Sequence, residues 1–368
     1  MLTKDLKLGL ALSGGGIRAL IFHLGVFEFL AKHELLEKVT HISSVSGASM
    51  FVGLLYAKNN NAFPSSKQYI NEVLPNIKEQ ILSVNLENKA IFKTLLSLGL
   101  NKKANTIASA LKEYWGIKTN FKDLAKTPKL SIQCTSYQTG KRFIFSQDEI
   151  GDYAFGFVKD FDFALADAVA ASAAFPFLIG TFELDTSKFS WCDEKGQSIE
   201  PKSKLLYLWD GGVYDNLGLE PIYQIENNGT LSQEVNFIIV SNAGASIKFK
   251  DKSKLDLSRI ADITSDQIAI IRLRAFREFC KNHQNGFHLK IGRPFSEVVQ
   301  KLKADQSLVS TYERHFLDKE SCQKVGLYPT TLKSPSKEDF ELILRQGYES
   351  MIYTQLCCPY IEDLKLKL

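Results

Sequence analysis

Leu8-Gly9-Leu10-Ala11-Leu12-Ser13-Gly14-Gly15-Gly16-Ile17-Arg18 passes from a short apolar run through three glycines into a helical pattern. The apolar run reads as a buried strand. Three consecutive glycines let backbone N–H groups turn into one shared space, as stabilisation of an oxyanion requires. About thirty residues on, Val39-Thr40-His41-Ile42-Ser43 is strand-like and Met50-Phe51-Val52-Gly53-Leu54-Leu55-Tyr56 is helix-like. Between them lies Ser44-Val45-Ser46-Gly47-Ala48-Ser49. A serine on a sharp strand-to-helix turn presents its hydroxyl at the sheet edge, and the small neighbours Ser44, Gly47 and Ala48 permit that turn. A third unit, Ser203-Lys204-Leu205-Leu206-Tyr207-Leu208-Trp209, reads as a strand that ends in Asp210-Gly211-Gly212. Among Trp209, Tyr207 and Leu208 the charged carboxylate would be disfavoured by desolvation. Its pKa would then rise toward the range of a general base. Ser46 as nucleophile, Asp210 as base and the amides of Gly14, Gly15 and Gly16 as oxyanion donors together point to acyl transfer.

With these blocks in this order, the chain resembles the patatin-like phospholipases. Gly14-Gly15-Gly16-Ile17-Arg18 matches the family's glycine-rich oxyanion motif, Ser46 its nucleophile and Asp210-Gly211-Gly212 its catalytic Asp-Gly-Gly. Arg18 to Val26 resembles the first helix, Ala171-Ser172-Ala173-Ala174-Phe175-Pro176 the Ala-Ser-x-Ala-x-Pro segment, and Tyr328-Pro329-Thr330-Thr331-Leu332 the ending of bacterial members. The usual Gly-x-Ser-x-Gly is here Ser44-Val45-Ser46-Gly47-Ala48, a Ser-Gly core similar to the cytosolic, membrane-translocating branch of the superfamily. The resemblance implies a Ser-Asp dyad hydrolase of phospholipase A or lysophospholipase type. Its implied partners are a membrane phospholipid or lysophospholipid and, transiently, the membrane surface. It calls for no metal and no cofactor. Some bacterial relatives answer to nucleotide second messengers, so a small-molecule activator stays open, though no residue here marks one.

Other readings stay beside these. Ser46, Asp210 and one of His283, His288 or His315 follow the chain order of an α/β-hydrolase triad. A degenerate elbow on a lipid-binding module is the non-enzymatic alternative. Gly14-Gly15-Gly16 lacks both Gly-x-Gly-x-x-Gly spacing and a following Gly-Lys-Ser/Thr, which argues against a nucleotide loop. Arg18 would pin the oxyanion loop or meet a lipid phosphate, a role near the oxyanion that the family implies. His23, flanked by Ile21, Phe22, Leu24 and Val26, reads as a packed structural histidine. Asp215 and Asn216 precede a helical pattern and read as caps rather than as a competing base.

The alternation of short apolar runs with helical periods predicts an α/β fold, a three-layer α/β/α sandwich with a largely parallel central sheet, patatin-like by resemblance. Strands are expected near 7–12, 39–45, 129–136, 142–146, 204–209 and 235–241, with a hairpin turn at Gln138-Thr139-Gly140-Lys141. Helices are expected near 17–33, 48–58, 67–83, 104–115, 162–172, 217–227, 255–282 and 336–348. Residues 1–368 are read as a single catalytic domain with a helical insertion near 62–125 and a C-terminal helical part near 255–368. Within the insertion, the apolar stretch 91–100 would cap the acyl pocket, touch a bilayer or pack as a surface helix. Residues 181–203 read as an exposed excursion.

A hydrophobic content of 45% without low-complexity tracts fits a folded chain with a large core. The net charge of +4 favours approach to anionic lipid weakly, short clusters such as Lys102-Lys103 and 248–254 read as solvated loops, and nucleic-acid binding is not indicated. Six scattered cysteines without metal-ligand spacing fit reduced thiols and a cytoplasmic setting. The N-terminal apolar run is a strand rather than a signal peptide, and no run is long enough to span a bilayer, so any membrane contact would be peripheral.

Overall fold

A computed structural model describes residues 6–89, 103–176, 179–226, 229–245, 247, 249, 251 and 257–358. The first unit folds as read: β1 (Leu8–Leu12), then helix α1 (Gly16–Lys32), β2 (Val39–Val45) and helix α2 (Gly47–Ala57). The remaining strands are β3 (Lys129–Ser136), β4 (Arg142–Ser146), β5 (Ile150–Asp152), β6 (Gly156–Val158), β7 (Phe182–Asp185), β8 (Trp191–Cys192), β9 (Ser198–Ile199) and β10 (Leu205–Asp210), followed by β11 (Tyr223–Gln224), β12 (Thr230–Leu231), β13 (Phe237–Asn242) and β14 (Gly286–Lys290).

Twelve of these strands form one mixed sheet, ordered β14-β13-β1-β2-β3-β4-β5-β6-β8-β9, with β10 and β7 joined to it through β3. From β14 to β3 every pairing is parallel; from β3 onward every pairing is antiparallel. β11 and β12 form a separate pair. Strand alternation divides the core into two layers of packing. Leu8, Leu10 and Leu12 of β1 face the cluster built with α1, α2 and the helix Lys337–Cys357. Ala11, Ile238 and Val240 face Leu273, Phe276 and Cys280 of the helix Leu257–His283. This is the expected sandwich, with a largely parallel centre flanked by helices.

Helix α1 is apolar all round, and nearly every residue from Gly16 to Ala31 is buried. Such a helix belongs inside rather than on a surface. It crosses Lys337–Cys357 at two glycines. A Cβ on Gly25 would lie 2.0 Å from the Leu344 carbonyl oxygen, and one on Gly347 would lie 2.1 Å from that of Phe22. Backbones therefore touch there, which no larger residue allows.

Three expectations are corrected. The helix expected near 217–227 is absent; a four-residue helical turn, Gly212–Asp215, precedes turns and β11. Gly218 adopts φ 66° and Pro221 lacks an N–H, while the Asp215 carboxylate takes the amides of Leu217, Leu219 and Glu220 into a closed turn. Residues 181–203 are no mere excursion, because β7 pairs β10, β8 extends the sheet, and buried Trp191 packs on Phe155. The C-terminal part is not wholly helical, since β14 lies within it. The apolar stretch 91–100 and most of the basic run 248–254 lie outside the described residues. Among the described residues no helix is long and apolar enough to cross a membrane.

Candidate active site

Ser46 and Asp210 meet because β2 and β10 share one edge of β3. β2 runs parallel to β3 and stops with Val45 opposite Gln133; β10 runs antiparallel and stops with Asp210 opposite Cys134. The two strands thus arrive end to end, one residue apart along β3, about 3.3 Å. The Ser46 side chain is near enough to the Asp210 carboxylate to lower its pKa against the effect of burial.

Ser46 sits at φ 55°, ψ −117°, between β2 and α2. A non-glycine residue there stores about 1–3 kcal/mol and persists only where its surroundings impose it. Two features impose it. A Cβ on Gly47 would fall 2.1 Å from the Gly16 carbonyl oxygen and 2.8 Å from the Gly16 nitrogen, so the elbow rests directly on the glycine loop. The Ser46 N–H also donates to Ser172 Oγ at 2.9 Å. Ser172 Oγ in turn donates to the Gln133 carbonyl at 2.7 Å, which fixes the rest of the relay: Ser49 donates to Ser172 (2.9 Å) and Ser44 to Ser49 (3.0 Å). Ser44, standing where the family usually has glycine, is buried and bonded in this relay.

Asp210 is 4% exposed. Burial raises its pKa to about 6, against the lowering influence of Ser46 and of the Gly212 N–H, which donates to it at 2.7 Å. The expected direction holds, but of the expected neighbours only Leu208 does. Tyr207 and Trp209 point to the opposite face of β10, where Trp209 Nε1 donates to Thr181 Oγ1 at 3.0 Å; Leu206 and Leu208 share the Asp210 face. Buried Asp215, by contrast, accepts from the amides of Leu217, Leu219 and Glu220 at 2.9–3.2 Å and faces Arg272 at 3.9 Å. It organises the turn, as its position before the predicted helix suggested for a capping role.

In the glycine loop the Gly14 N–H is engaged, donating to the Asn216 carbonyl at 3.1 Å. Ser13 and Ile17 donate to Ser241 and Thr331. The amides of Gly15 (φ 148°) and Gly16 (φ 62°) have no acceptor among the described residues. Both lie where α1 begins, so the helix end adds its partial positive charge. A Cβ on Gly14 would come within 3.0 Å of Ser46 Cβ, which brings the loop against Ser46.

Behind the loop stand two buried struts. His23 Nε2 donates to the Ser13 carbonyl at 2.9 Å and Nδ1 accepts from Ser241 Oγ at 3.0 Å; burial lowers its pKa to about 4, so it stays neutral. Arg18 is 1% exposed. It donates to the carbonyls of Ala243 (3.1 Å) and Tyr328 and to Thr330 Oγ1 (3.3 Å), and burial lowers its pKa to about 10. Of its expected roles the geometry places it in pinning the loop, to the segment Tyr328–Leu332. The relay residue Ser172 and the anchors Asn216 and Thr331 were not foreseen. Ser172 carried a signal as part of the Ala-Ser-x-Ala-x-Pro segment and Thr331 as part of Tyr328-Pro329-Thr330-Thr331-Leu332, while Asn216 was read only as a cap. The histidines of the triad reading are engaged elsewhere: His283 with the Phe279 carbonyl, His288 with Arg277 and His315 with Arg314.

The sequence profile of the patatin-like phospholipases matches residues 10–223, more than half of the chain. The chain belongs to the patatin-like phospholipase family. Ser46, Asp210 and the glycine loop all fall inside the matched span. No curated protein sequence matches this chain significantly. Among solved structures it is similar to human GIVD cytosolic phospholipase A2, at 14% identity and TM-score 0.56, with 99% of this chain and 63% of the human chain covered. The same human protein in complex with the inhibitor methyl gamma-linolenyl fluorophosphonate and terbium chloride gives 14% identity and TM-score 0.54, over 98% and 59%. At this identity the likeness establishes the fold. The chain spans about three fifths of the human structure.

Proposed function

We propose that this patatin-like phospholipase is a serine lipid acyl hydrolase of phospholipase A or lysophospholipase type, working through a Ser46–Asp210 dyad. The observation that carries the reading is the end-to-end meeting of β2 and β10 on β3, which sets a strained serine hydroxyl against a buried carboxylate beside two free amides.

In this reading Asp210 takes the Ser46 proton as Oγ attacks the ester carbonyl carbon. The oxyanion is stabilised by the N–H groups of Gly15 and Gly16, each such donor being worth about 2.7–4 kcal/mol in the transition state. Gly14 and Arg18 serve as supports of the loop rather than as donors. The tetrahedral intermediate collapses, the lysolipid or glycerol oxygen leaves with the proton held on Asp210, and an acyl-serine remains. Asp210 then deprotonates a water that attacks the acyl carbon, and Ser46 Oγ leaves reprotonated as the fatty acid departs. Every proton passes through Asp210, so the scheme invokes no metal and no cofactor.

The substrate is a membrane phospholipid or lysophospholipid met by transient surface contact. The six cysteines, all free, favour a cytoplasmic setting. The human phospholipase A2 compared above is held with a fluorophosphonate, a class of reagent that captures activated serines. Engagement of His283, His288 and His315 elsewhere favours the dyad over a triad. The test is mass spectrometry of products from mixed phospholipid vesicles: wild type should release fatty acid and lysophospholipid, and folded Ser46→Ala should release neither. Equal release by both proteins would remove Ser46 from the chemistry.

A further inference from the structure

We infer that the outer flank of β14 carries a binding site for a phosphoryl anion, built by Arg277, His288, Lys290, Arg293 and Lys301. β14 ends the sheet, with β13 as its only strand partner among the described residues. Phe287 and Leu289 point into the main core, so alternation turns His288 and Lys290 to the opposite face, toward the helix Leu257–His283. From that helix Arg277 Nη2 approaches His288 Nδ1 at 3.4 Å. A guanidinium only donates, so Nδ1 is the acceptor and the ring proton sits on Nε2. That N–H is enclosed without an acceptor. Lys290 Nζ donates to the Gly244 carbonyl and lies 3.5 Å from Asn242 Oδ1. Arg293, just past β14, and Lys301, on the helix Phe295–Leu302, reach the single carboxylate Glu297 at 3.4 and 3.1 Å.

The cluster is therefore rich in donors and poor in acceptors. Burial, then Arg277, Arg293, Lys290 and Lys301, hold the His288 pKa well below its ordinary value. Burial, then Arg293 and Arg18, bring Lys290 to about 7, with Asp266 as the opposing charge. Four cations thus face two carboxylates, Glu297 and Asp266. A phosphoryl group supplies what is missing, namely several acceptor oxygens and close to two negative charges. Gly244 adjoins Ala243, which binds Arg18 and the Ser13 hydroxyl, so the cluster lies one residue from the anchor of the glycine loop. The same chemistry is offered by a soluble phosphate and by an anionic lipid headgroup.

Arg277 and Lys301 are exposed, so Arg277→Gln/Lys301→Gln keeps the fold, and exposed Lys319→Gln serves as a control for removal of positive charge elsewhere. Isothermal titration of the full chain with inorganic pyrophosphate at pH 7 forms one arm. Sedimentation of the Ser46→Ala protein with phosphatidylcholine vesicles, with and without phosphatidic acid, forms the other. Saturable 1:1 pyrophosphate binding, weakened at least tenfold in the double variant and unchanged in the control, assigns the site to a soluble phosphate. Retention by phosphatidic acid vesicles alone, with the same loss, assigns it to a lipid headgroup. Absence of binding in both arms, or equal loss in Lys319→Gln, overturns the site. Both arms read binding rather than hydrolysis, so their failure leaves the acyl-hydrolase reading standing.

Discussion

Two aspartates five positions apart do opposite work, and their surroundings explain why. Asp210 carries a pKa of about 6 because it is buried with a hydroxyl and one amide as partners. Its basic form is lost as pH falls through that value, so kcat/KM should fall about tenfold per pH unit below pH 6. The sign for stability is the reverse of the usual carboxylate. The folded state binds this proton more tightly than the unfolded chain, so stability declines as pH rises from about 4 to about 6. Asp210→Asn should abolish turnover and, at pH 8, unfold at higher urea than wild type, with up to about 3 kcal/mol gained. Asp215→Asn should behave oppositely, keeping the dyad but losing about 1–3 kcal/mol, since the amide nitrogen would replace one carboxylate oxygen and face at least one of the three backbone N–H groups that the carboxylate now accepts from. Urea titration and a soluble-ester assay separate the two, and exchanged phenotypes would reassign the base. Both residues were readable as aspartates after a strand, because Asp210 ends an apolar run and Asp215 precedes a helical pattern. The faces of Tyr207 and Trp209 follow from strand alternation and could have been read; the partners of Asp215 could not, since they depend on a turn closed by Gly218 and Pro221.

Among the elements, those with strong local signals appear where the sequence places them. β1, β2, β3, β4, β10 and β13 are short apolar runs with clear boundaries, and α1 and α2 follow directly on their glycine and serine turns. What the sequence hides is pairing. That β10 takes over the edge of β3 where β2 stops joins residues some 75 positions apart, Cys134 and Asp210, and no local pattern encodes it. β14 is hidden differently: Phe287 and Leu289 alternate with His288 and Lys290, a five-residue signal behind a 27-residue helix. The contact between α1 and Lys337–Cys357 is equally long-range, and it rests on Gly25 and Gly347. Gly25→Ala should therefore destabilise by about 1–3 kcal/mol through overpacking, at the upper end because the clash is with backbone. A urea midpoint equal to that of wild type would show that the two helices can part without cost.

Across the whole molecule the proposed catalytic groups gather at one edge of the sheet, where parallel β1, β2 and β13 all deliver their C-terminal ends and β10 meets them from the other side. Arg18 and Thr331 then tie that edge to the segment Tyr328–Leu332, so chain far beyond the matched family span helps to hold the oxyanion loop. The sequence marked this segment only by likeness, because its role lies mainly in the Tyr328 and Thr331 backbone carbonyls, which carry no side-chain signature, with the Thr330 hydroxyl beside them. The apolar stretch 91–100, expected to cap the acyl pocket, touch a bilayer or pack as a surface helix, lies outside the described residues. The chemistry itself can be tested without a bilayer. A long-chain alkyl fluorophosphonate is incubated with the protein across pH 4.5–8 and the adduct is located by peptide mapping. A single adduct on Ser46, formed about tenfold more slowly per pH unit below about 6, is expected; an adduct on another residue, or labelling that persists in folded Ser46→Ala, would show that Ser46 and Asp210 are not the reacting pair.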